Sequence, residues 1–332
     1  GYRSQQNTRG TIDPMKATAR ACSNIALIKY WGNRNDALRL PANPSISFNL
    51  ADLFTATRVV FDPALQEDEV VIDEQPASPE AARRVSAHLD LVQANRPRAQ
   101  VISSNNFPMG AGIASSASAF AALTVAACAA LGLPKSEDEL SALARRGSGS
   151  ASRSVPGGIV AWRDASAWSI AGPEHWPLVD VIGIVAAGHK KVGSTEGHAL
   201  AGTSPLQAAR VADAERRFGL CLRAIETRDF GLLADVIEQD ALMMHGVMMT
   251  SDPSLMYWLP GTLAILHAVR DLRAAGVPVA FTIDAGPNVH CICEAGAVKD
   301  VVAALDALQG VQSTLVSGIG GPAQVILPQS AG

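Results

Sequence analysis

The residues best suited to chemistry fall in five short segments of the 332-residue chain. Residues 105–118, Asn-Asn-Phe-Pro-Met-Gly-Ala-Gly-Ile-Ala-Ser-Ser-Ala-Ser, set small residues and hydroxyls at the mouth of an apolar stretch. Backbone N–H groups in such a turn can converge on one anion, and a helix starting there adds partial positive charge, so the segment suits a phosphate. It equally suits nothing more than close packing at a helix start. No Lys follows the last glycine as in a Walker A loop, and GxGxxG is absent. A second segment, Gly147-Ser148-Gly149-Ser150-Ala151-Ser152-Arg153-Ser154, leaves one guanidinium among small neighbours. Such a fork captures a carboxylate or phosphate bidentately, or is merely solvated in a surface loop. In the third, residues 281–288, an apolar strand ends on Asp284 before Ala285-Gly286-Pro287-Asn288. That carboxylate either accepts a proton from a hydroxyl or caps the turn through an Asx hydrogen bond. In the fourth, Lys29 interrupts the apolar run 25–31, and a Lys buried there requires an anionic partner. The fifth, His189-Lys190-Lys191-Val192-Gly193-Ser194-Thr195, brings cations and hydroxyls either to a ligand cleft or to a solvated linker. The seven histidines show neither HExxH nor a His/Cys cluster at ligand spacing, so no zinc site is expected, and no GxSxG elbow appears.

These segments need elements to hold them. Residues 17–61 read as strands of a mixed sheet: an apolar stretch at 25–31, a polar turn at 33–36, alternation at 45–50 and β-branched residues at 57–61. Ala81, Val85, Leu89 and Val92 at helical spacing predict a helix over 80–93, capped by Ser78 with Pro79 at its first position, and a strand follows at 100–103. The next helix starts in the 110–116 loop and stops at Gly132–Pro134. Ser136 with Glu139 three residues on predicts a capping box and a helix to about Arg145. Residues 179–186 read as a buried strand. Helices are then expected over 205–224, 230–249 and 257–275, with strands at 277–283, 290–294 and 324–327. This irregular order predicts α+β layers rather than a doubly wound sheet, with a domain boundary near residue 188.

Composition narrows the classes further. A chain 48% hydrophobic and 17% charged can bury a large core, which excludes disorder and collagen-like architecture. The 27 basic and 31 acidic residues give a charge of -4 with no long block of either sign, so neither nucleic acid nor a membrane surface is an expected partner. The longest apolar run, 117–131, is shorter than the roughly 20 residues a bilayer crossing needs and reads as a buried helix. Five cysteines without CxxC spacing predict a reducing compartment, hence a cytoplasmic protein. Residues 1–14, polar and ahead of Met15, read as an expression leader.

Taken together, the segments resemble the GHMP-type small-molecule kinases and, within them, the mevalonate diphosphate decarboxylases. The resemblance rests on Ser23-Asn24-Ile25-Ala26 with Lys29-Tyr30-Trp31-Gly32, the 106–116 loop, Gly147-Ser148-Gly149-Ser150 with Arg153, Gly193-Ser194-Thr195 with Gly197, and Asp284-Ala285-Gly286-Pro287-Asn288. It implies a two-lobed α+β fold: an N-terminal lobe like ribosomal S5 domain 2 over 15–188, a ferredoxin-like C-terminal lobe over 189–332, and a cleft between them. It also implies phosphorylation of a 3-hydroxyl by ATP with Mg²⁺, then loss of phosphate and CO2 to give an alkene. By the same resemblance Asp284 accepts the hydroxyl proton and Arg153 holds the carboxylate in line. Lys29, Tyr30, Asn33, Ser148 and Ser150 would bind substrate. Asn106, Pro108, Gly110, Ala111, Gly112, Ser115 and Ser116 would cradle the nucleotide phosphates, Ser115 near the metal, with Lys190 and Ser194 near the γ-phosphate. Relatives are often two-fold dimers, so a homodimer is expected by analogy.

One departure bears on the substrate. In diphosphate-using members a Lys follows Tyr-Trp-Gly and meets the terminal phosphates; here Asn33 stands there. A second family Arg, in the helix after the early strands, has no secure counterpart, although Arg83 and Arg84 lie one to two turns earlier. The expected substrate is therefore mevalonate 5-phosphate, giving isopentenyl phosphate. Mevalonate 5-diphosphate is the alternative, and a 3-kinase that stops before decarboxylation is a second.

Overall fold

The computed structural model describes residues 15–107, 115–186 and 193–326. In chain order they form β1 (Lys16–Ile28), the short β2 (Asn33–Asn35) and β3 (Leu40–Pro41), β4 (Ser45–Phe61), β5 (Glu69–Ile72), β6 (Gln75–Pro76), α1 (Pro79–Val92), β7 (Ala99–Asn105), α2 (Ser115–Ala130) and α3 (Glu137–Gly147). A 3-10 turn at Gly149–Ser154 leads to β8 (Ile159–Arg163), β9 (Ser166–Ala171) and β10 (Leu178–Ile184). Then come α4 (Ser194–Leu200), α5 (Gln207–Ala212), α6 (Ala214–Thr227), α7 (Phe230–Met249), α8 (Pro260–Ala274), β11 (Val279–Thr282), β12 (Val289–Glu294), α9 (Val298–Asp306), β13 (Ser313–Gly318) and β14 (Gln324–Ile326).

The spine is the antiparallel pair β1–β4, whose register shifts at Cys22/Ser23 and Ala26/Ile28. Along its length β4 changes its other neighbour. Ser45–Phe48 pair with β8, whereas Thr55–Phe61 pair with β7. The first sheet runs β14-β1-β4-β7-β5-β6, with β8 and β9 continuing from β4. The second is an antiparallel β11-β12-β10-β13. This is the expected α+β arrangement, and among the described residues only β5 and β7 pair in parallel. Although β10 precedes residue 188, it lies at the centre of the second sheet, and β14 returns to the first. A division by sheets therefore falls between β9 and β10, because the β-branched run in β10 finds its partners in β12 and β13.

Local chemistry sets the helices. Ser78 Oγ accepts from Ala81 N–H at 3.2 Å with Pro79 behind it. Ser136 and Glu139 form the expected reciprocal box. The α2 helix is apolar on every side and buried, and its small residues let it lie against β1 and β4. Two expected helices are bounded differently. The span 205–224 is divided at Asp213, whose carboxylate takes the forks of Arg216 and Arg217. The span 257–275 begins only at Pro260, the position where a missing N–H costs nothing. The hairpin β8–β9, the helix α9 and the strand β13 are elements beyond those read from the sequence.

Three apolar clusters hold these layers. One lies between α2 and the first sheet, around Leu89, Val101 and Leu123. Another fills the second sheet and its helices, around Ile265, Phe281 and Val301. The third spans both sheets, joining Ile25, Ile46 and Phe48 to Ile182, Ile237 and Ile292. Each such side chain fully removed from water contributes about 1.5–3 kcal/mol. The two lobes thus share one core, and the end of β1 emerges at their junction.

Candidate active site

Lys29 follows β1 directly, and its backbone is fixed on both sides. Its N–H donates to Asp240 Oδ2 at 2.6 Å, and its carbonyl accepts from Asn43 Nδ2 and Arg210 Nη2, each at 2.9 Å. Asp240 in turn takes Arg217 Nε at 2.7 Å, and Arg217 also reaches Asp213. Beneath Lys29, buried Arg217 and Asp240 are ion-paired, as burial of charge demands, while buried Arg210 is held by the carbonyls of Lys29 and Trp31 and by Asn43 Oδ1. With its backbone held, the Lys29 ammonium lies 2.6 Å from Asp284 Oδ1, at 1% side-chain exposure against 25% for the aspartate. The lysine is sealed and the carboxylate opens to solvent. Just after β11, the Asp284 carbonyl accepts from His245 Nε2 at 3.2 Å.

Arg153 comes from the 3-10 turn after α3 and is 3% exposed. Nη1 donates to Ser45 Oγ at 2.6 Å, Nε to Ser47 Oγ at 3.1 Å, and Nη2 to Asn24 Oδ1 at 3.3 Å. A guanidinium has five N–H donors. These contacts leave one on each terminal nitrogen uncommitted among the described residues, the pair that a carboxylate accepts. Burial pushes the Arg153 pKa down to about 10, with the charges of Asp284 and then Tyr30 acting the other way. The group stays cationic at neutral pH, and Asp284 is near enough to act on it. For Lys29, burial lowers the pKa while Asp284 opposes the shift.

The remaining walls are aromatic and hydroxylic. The Tyr30 hydroxyl donates to Asn33 Oδ1, and Asn33 Nδ2 donates to Asp36 at 2.9 Å. A Cβ on Gly149 would lie 2.6 Å from the Tyr30 ring, so that position must stay bare. His198 stacks on Tyr30 and Trp31 at 4.1 and 4.5 Å and accepts from Gly32 N–H through Nδ1. Burial, then the charges of Arg39, Arg210 and Arg153, push His198 down to about 3, so the ring is neutral. Gly197 passes so close to Trp31 that a Cβ would sit 2.6 Å from its ring.

The sequence-predicted residues distribute unevenly. Lys29, Tyr30, Asn33, Ser148, Ser150, Arg153 and Asp284 gather at the lobe junction. Ser148 Oγ meets Ser116 Oγ at 3.2 Å, which ties this group to the start of α2. The Ser150 carbonyl accepts from Asn24 Nδ2 at 3.2 Å, leaving its hydroxyl half exposed. Asn106 does something other than expected of a phosphate ligand: its carboxamide accepts from Phe54 N–H at 2.7 Å and donates to the Asp52 carbonyl at 2.6 Å, bracing β4. Ser115 and Ser116 are half buried at the α2 N-terminus. Pro108, Gly110, Ala111, Gly112 and Lys190 lie outside the described residues, as does the side chain of Ser194, which heads α4.

Residues that the sequence did not mark include Asp240, Arg210 and Arg217. The available signal was that two of the three acids in the largely apolar α7, Glu238 and Asp240, fall among its buried positions. Beside the α2 start, an open cavity of about 190 Å³ is lined by Ile72, Val85, Val101 and Phe120, together with Ser115 and Ser116. That combination of apolar walls and a helix N-terminus suits a nucleotide. For Mg²⁺, which binds through substrate phosphates, waters and one or two protein oxygens, the Ser115 hydroxyl is a fitting donor. Among the described residues no cluster of three His, Cys, Asp or Glu forms a metal cage of its own, and no helix is long and apolar enough to cross a membrane.

Comparison with known proteins agrees with this geometry. Residues 21–171 match the diphosphomevalonate decarboxylase-like N-terminal domain, and residues 180–324 match the mevalonate 5-diphosphate decarboxylase C-terminal domain. The chain is 39% identical over 302 residues to the diphosphomevalonate decarboxylase of Eremothecium gossypii, covering 82% of this chain and 76% of that one. It is 36% identical over 319 residues to the phosphomevalonate decarboxylase of Haloferax volcanii, covering 94% and 98%. Among solved structures, MDDEF in complex with MVAPP, AMPPCP and magnesium superposes with a TM-score of 0.89 at 35% identity, covering 94% of this chain and 99% of that one. Staphylococcus aureus mevalonate diphosphate decarboxylase gives 0.90 at 33%, covering 94% and 98%. With both domain models matched in order and a sealed lysine paired to Asp284 within charge range of a buried guanidinium, the chain belongs to the mevalonate diphosphate decarboxylase family of ATP-dependent carboxy-lyases, in the GHMP superfamily.

Proposed function

We propose that this enzyme converts mevalonate 5-phosphate, with ATP, into isopentenyl phosphate, ADP, phosphate and CO2. The observation that carries the decarboxylase reading is the placement of Asp284, with Lys29 2.6 Å away, within charge range of Arg153. A tertiary alcohol is a poor nucleophile. Asp284 accepts its proton as the C3 oxygen takes the phosphoryl group, and Lys29 holds the carboxylate in place through the 2.6 Å contact. Arg153 offers its two uncommitted N–H groups to the C1 carboxylate. Positioned so, the C1–C2 electron pair becomes the C2=C3 bond as the C3–O bond breaks, releasing CO2 and phosphate. ATP, held by the α2 N-terminus and the apolar cavity, supplies the phosphoryl group. Ser115 is the protein oxygen offered to Mg²⁺, and Lys190 and Ser194 lie in the chain segment assigned to the γ-phosphate.

The monophosphate is favoured because the cation that diphosphate-using members place after Tyr-Trp-Gly is Asn33 here, engaged with Tyr30 and Asp36. Loss of one charge-assisted hydrogen bond, about 1.5–3 kcal/mol, lowers diphosphate preference roughly tenfold or more. Purified enzyme should show the higher kcat/KM with mevalonate 5-phosphate, and Asn33→Lys should shift the ratio toward the diphosphate. A parent enzyme that prefers the diphosphate overturns this assignment.

A further inference from the structure

Arg39 sits in the β2–β3 hairpin, where Ala42 N–H closes on Gly32 O at 3.0 Å and Arg39 N–H on Asp36 O at 3.1 Å. Its backbone holds φ 48°, a conformation that favours Gly, Asn or Asp, so an Arg there is costly unless its side chain is needed. The guanidinium reaches across to the C-terminus of α3, where Nε donates to the Arg146 carbonyl at 3.2 Å. Arg84 of α1 approaches the next carbonyl, Gly147 O, at 3.4 Å. The following residue is Ser148, already in contact with Ser116.

The guanidinium groups of two residues, Arg39 and Arg84, thus meet over consecutive carbonyls at the C-terminus of α3, on one rim of the site. Among the described residues no carboxylate lies within ion-pair distance of either of them. Glu80, one helical turn before Arg84, is the acid whose charge Arg84 feels, but without an ion pair. Removal from water, then the charge of Arg39, lowers the Arg84 pKa, and Arg39 also acts on Tyr30 and His198. Concentrated, uncompensated positive charge beside a cleft invites an anion.

Resting on the function proposed above, we infer that Arg39 is the residue that binds the substrate's 5-phosphoryl group and so replaces the charge absent at Asn33. With C1 at Arg153 and the 3-hydroxyl at Asp284, a C5 arm running along Tyr30, which lies within charge range of both Arg153 and Arg39, meets this rim. A phosphomonoester carries about -1.5 to -2 at neutral pH, which one fork and the neighbouring cations match. The inference separates Arg39 from a mere cap on α3, since a cap contributes equally whatever acid is bound.

The test compares parent enzyme with Arg39→Asn, which keeps the left-handed backbone and removes the charge. Steady-state decarboxylation is measured with mevalonate 5-phosphate, and unphosphorylated mevalonate serves as a competing ligand whose Ki is read in both proteins. The expected result is a KM for mevalonate 5-phosphate raised roughly tenfold or more, with kcat and the Ki of mevalonate little changed. Arg39→Lys should restore part of the affinity. An unchanged KM, an equal weakening of both acids, or a rise confined to the KM for ATP overturns the inference. If the parent enzyme releases CO2 from neither phosphorylated acid, the functional reading fails instead.

Discussion

Replacing Arg153 by Lys keeps a positive charge at the same place and removes only its geometry. Arg153 spends three N–H groups on Ser45, Ser47 and Asn24 and retains two. An ammonium has three donors in all, so once those acceptors are satisfied none remains for the substrate carboxylate. Losing two hydrogen bonds between charged groups removes about 3–6 kcal/mol, which corresponds to a fall in kcat/KM of roughly 10²–10⁴. The shorter reach of the fork's replacement also lets the carboxylate drift from alignment with the departing phosphate, so kcat falls with KM. The assay is ADP release at saturating ATP with the acid varied, beside a thermal melt to show that the variant is folded. A folded Arg153→Lys enzyme within about fivefold of the parent would refute the bidentate role.

Other residues give independent tests. Asp284→Asn should lower kcat by about 10²–10⁴ while leaving the Kd for ATP nearly unchanged, because the group acts on the hydroxyl proton and not on the nucleotide; a comparable loss of ATP affinity would contradict that role. Away from the site, burial alone would raise the pKa of Asp68, but the Arg96 fork at 2.6 and 2.7 Å and the Ala99 N–H at 2.8 Å outweigh it and hold the group at about 2. Its folded-state pKa is depressed, so its stabilisation is present above the ordinary Asp value near 4 and is lost as pH falls toward 2. At pH 7 Asp68→Asn should cost about 1.5–3 kcal/mol by leaving Arg96 with only the exposed Asp90 as its ionic partner, and the gap in urea midpoint between parent and variant should shrink by pH 3. A gap independent of pH would show that the pair is not the source.

Much of the site was legible because its residues break local pattern. A lysine inside the apolar run 25–31 predicted a buried anionic partner, and the structure supplies Asp284, 255 positions away in sequence. Periodicity could state the need but not the identity of that partner, since only the meeting of two sheets decides it. Capping was equally readable: Ser78 and Ser136 act through neighbours three residues on. By contrast, Asp240, Arg210 and Arg217 act through long-range contacts with Lys29 and with one another, and nothing in their spacing signals which backbone they hold. The bracing role of Asn106 was hidden for a related reason: a loop amide next to a phosphate-type turn reads as a ligand, and only the fold brings Phe54 N–H and the Asp52 carbonyl to it. The same limit explains β10, whose composition shows a buried strand but not to which sheet it belongs.

Whether one acid is both phosphorylated and decarboxylated between Asp284 and Arg153 is measured most directly by trapping CO2 against ADP formed, with mevalonate 5-phosphate as substrate. Equal amounts of the two at every time point are predicted, with an alkene product of the mass of isopentenyl phosphate. ADP accumulating without CO2, alongside a stable 3-phosphorylated acid, would contradict it and leave a kinase that stops halfway.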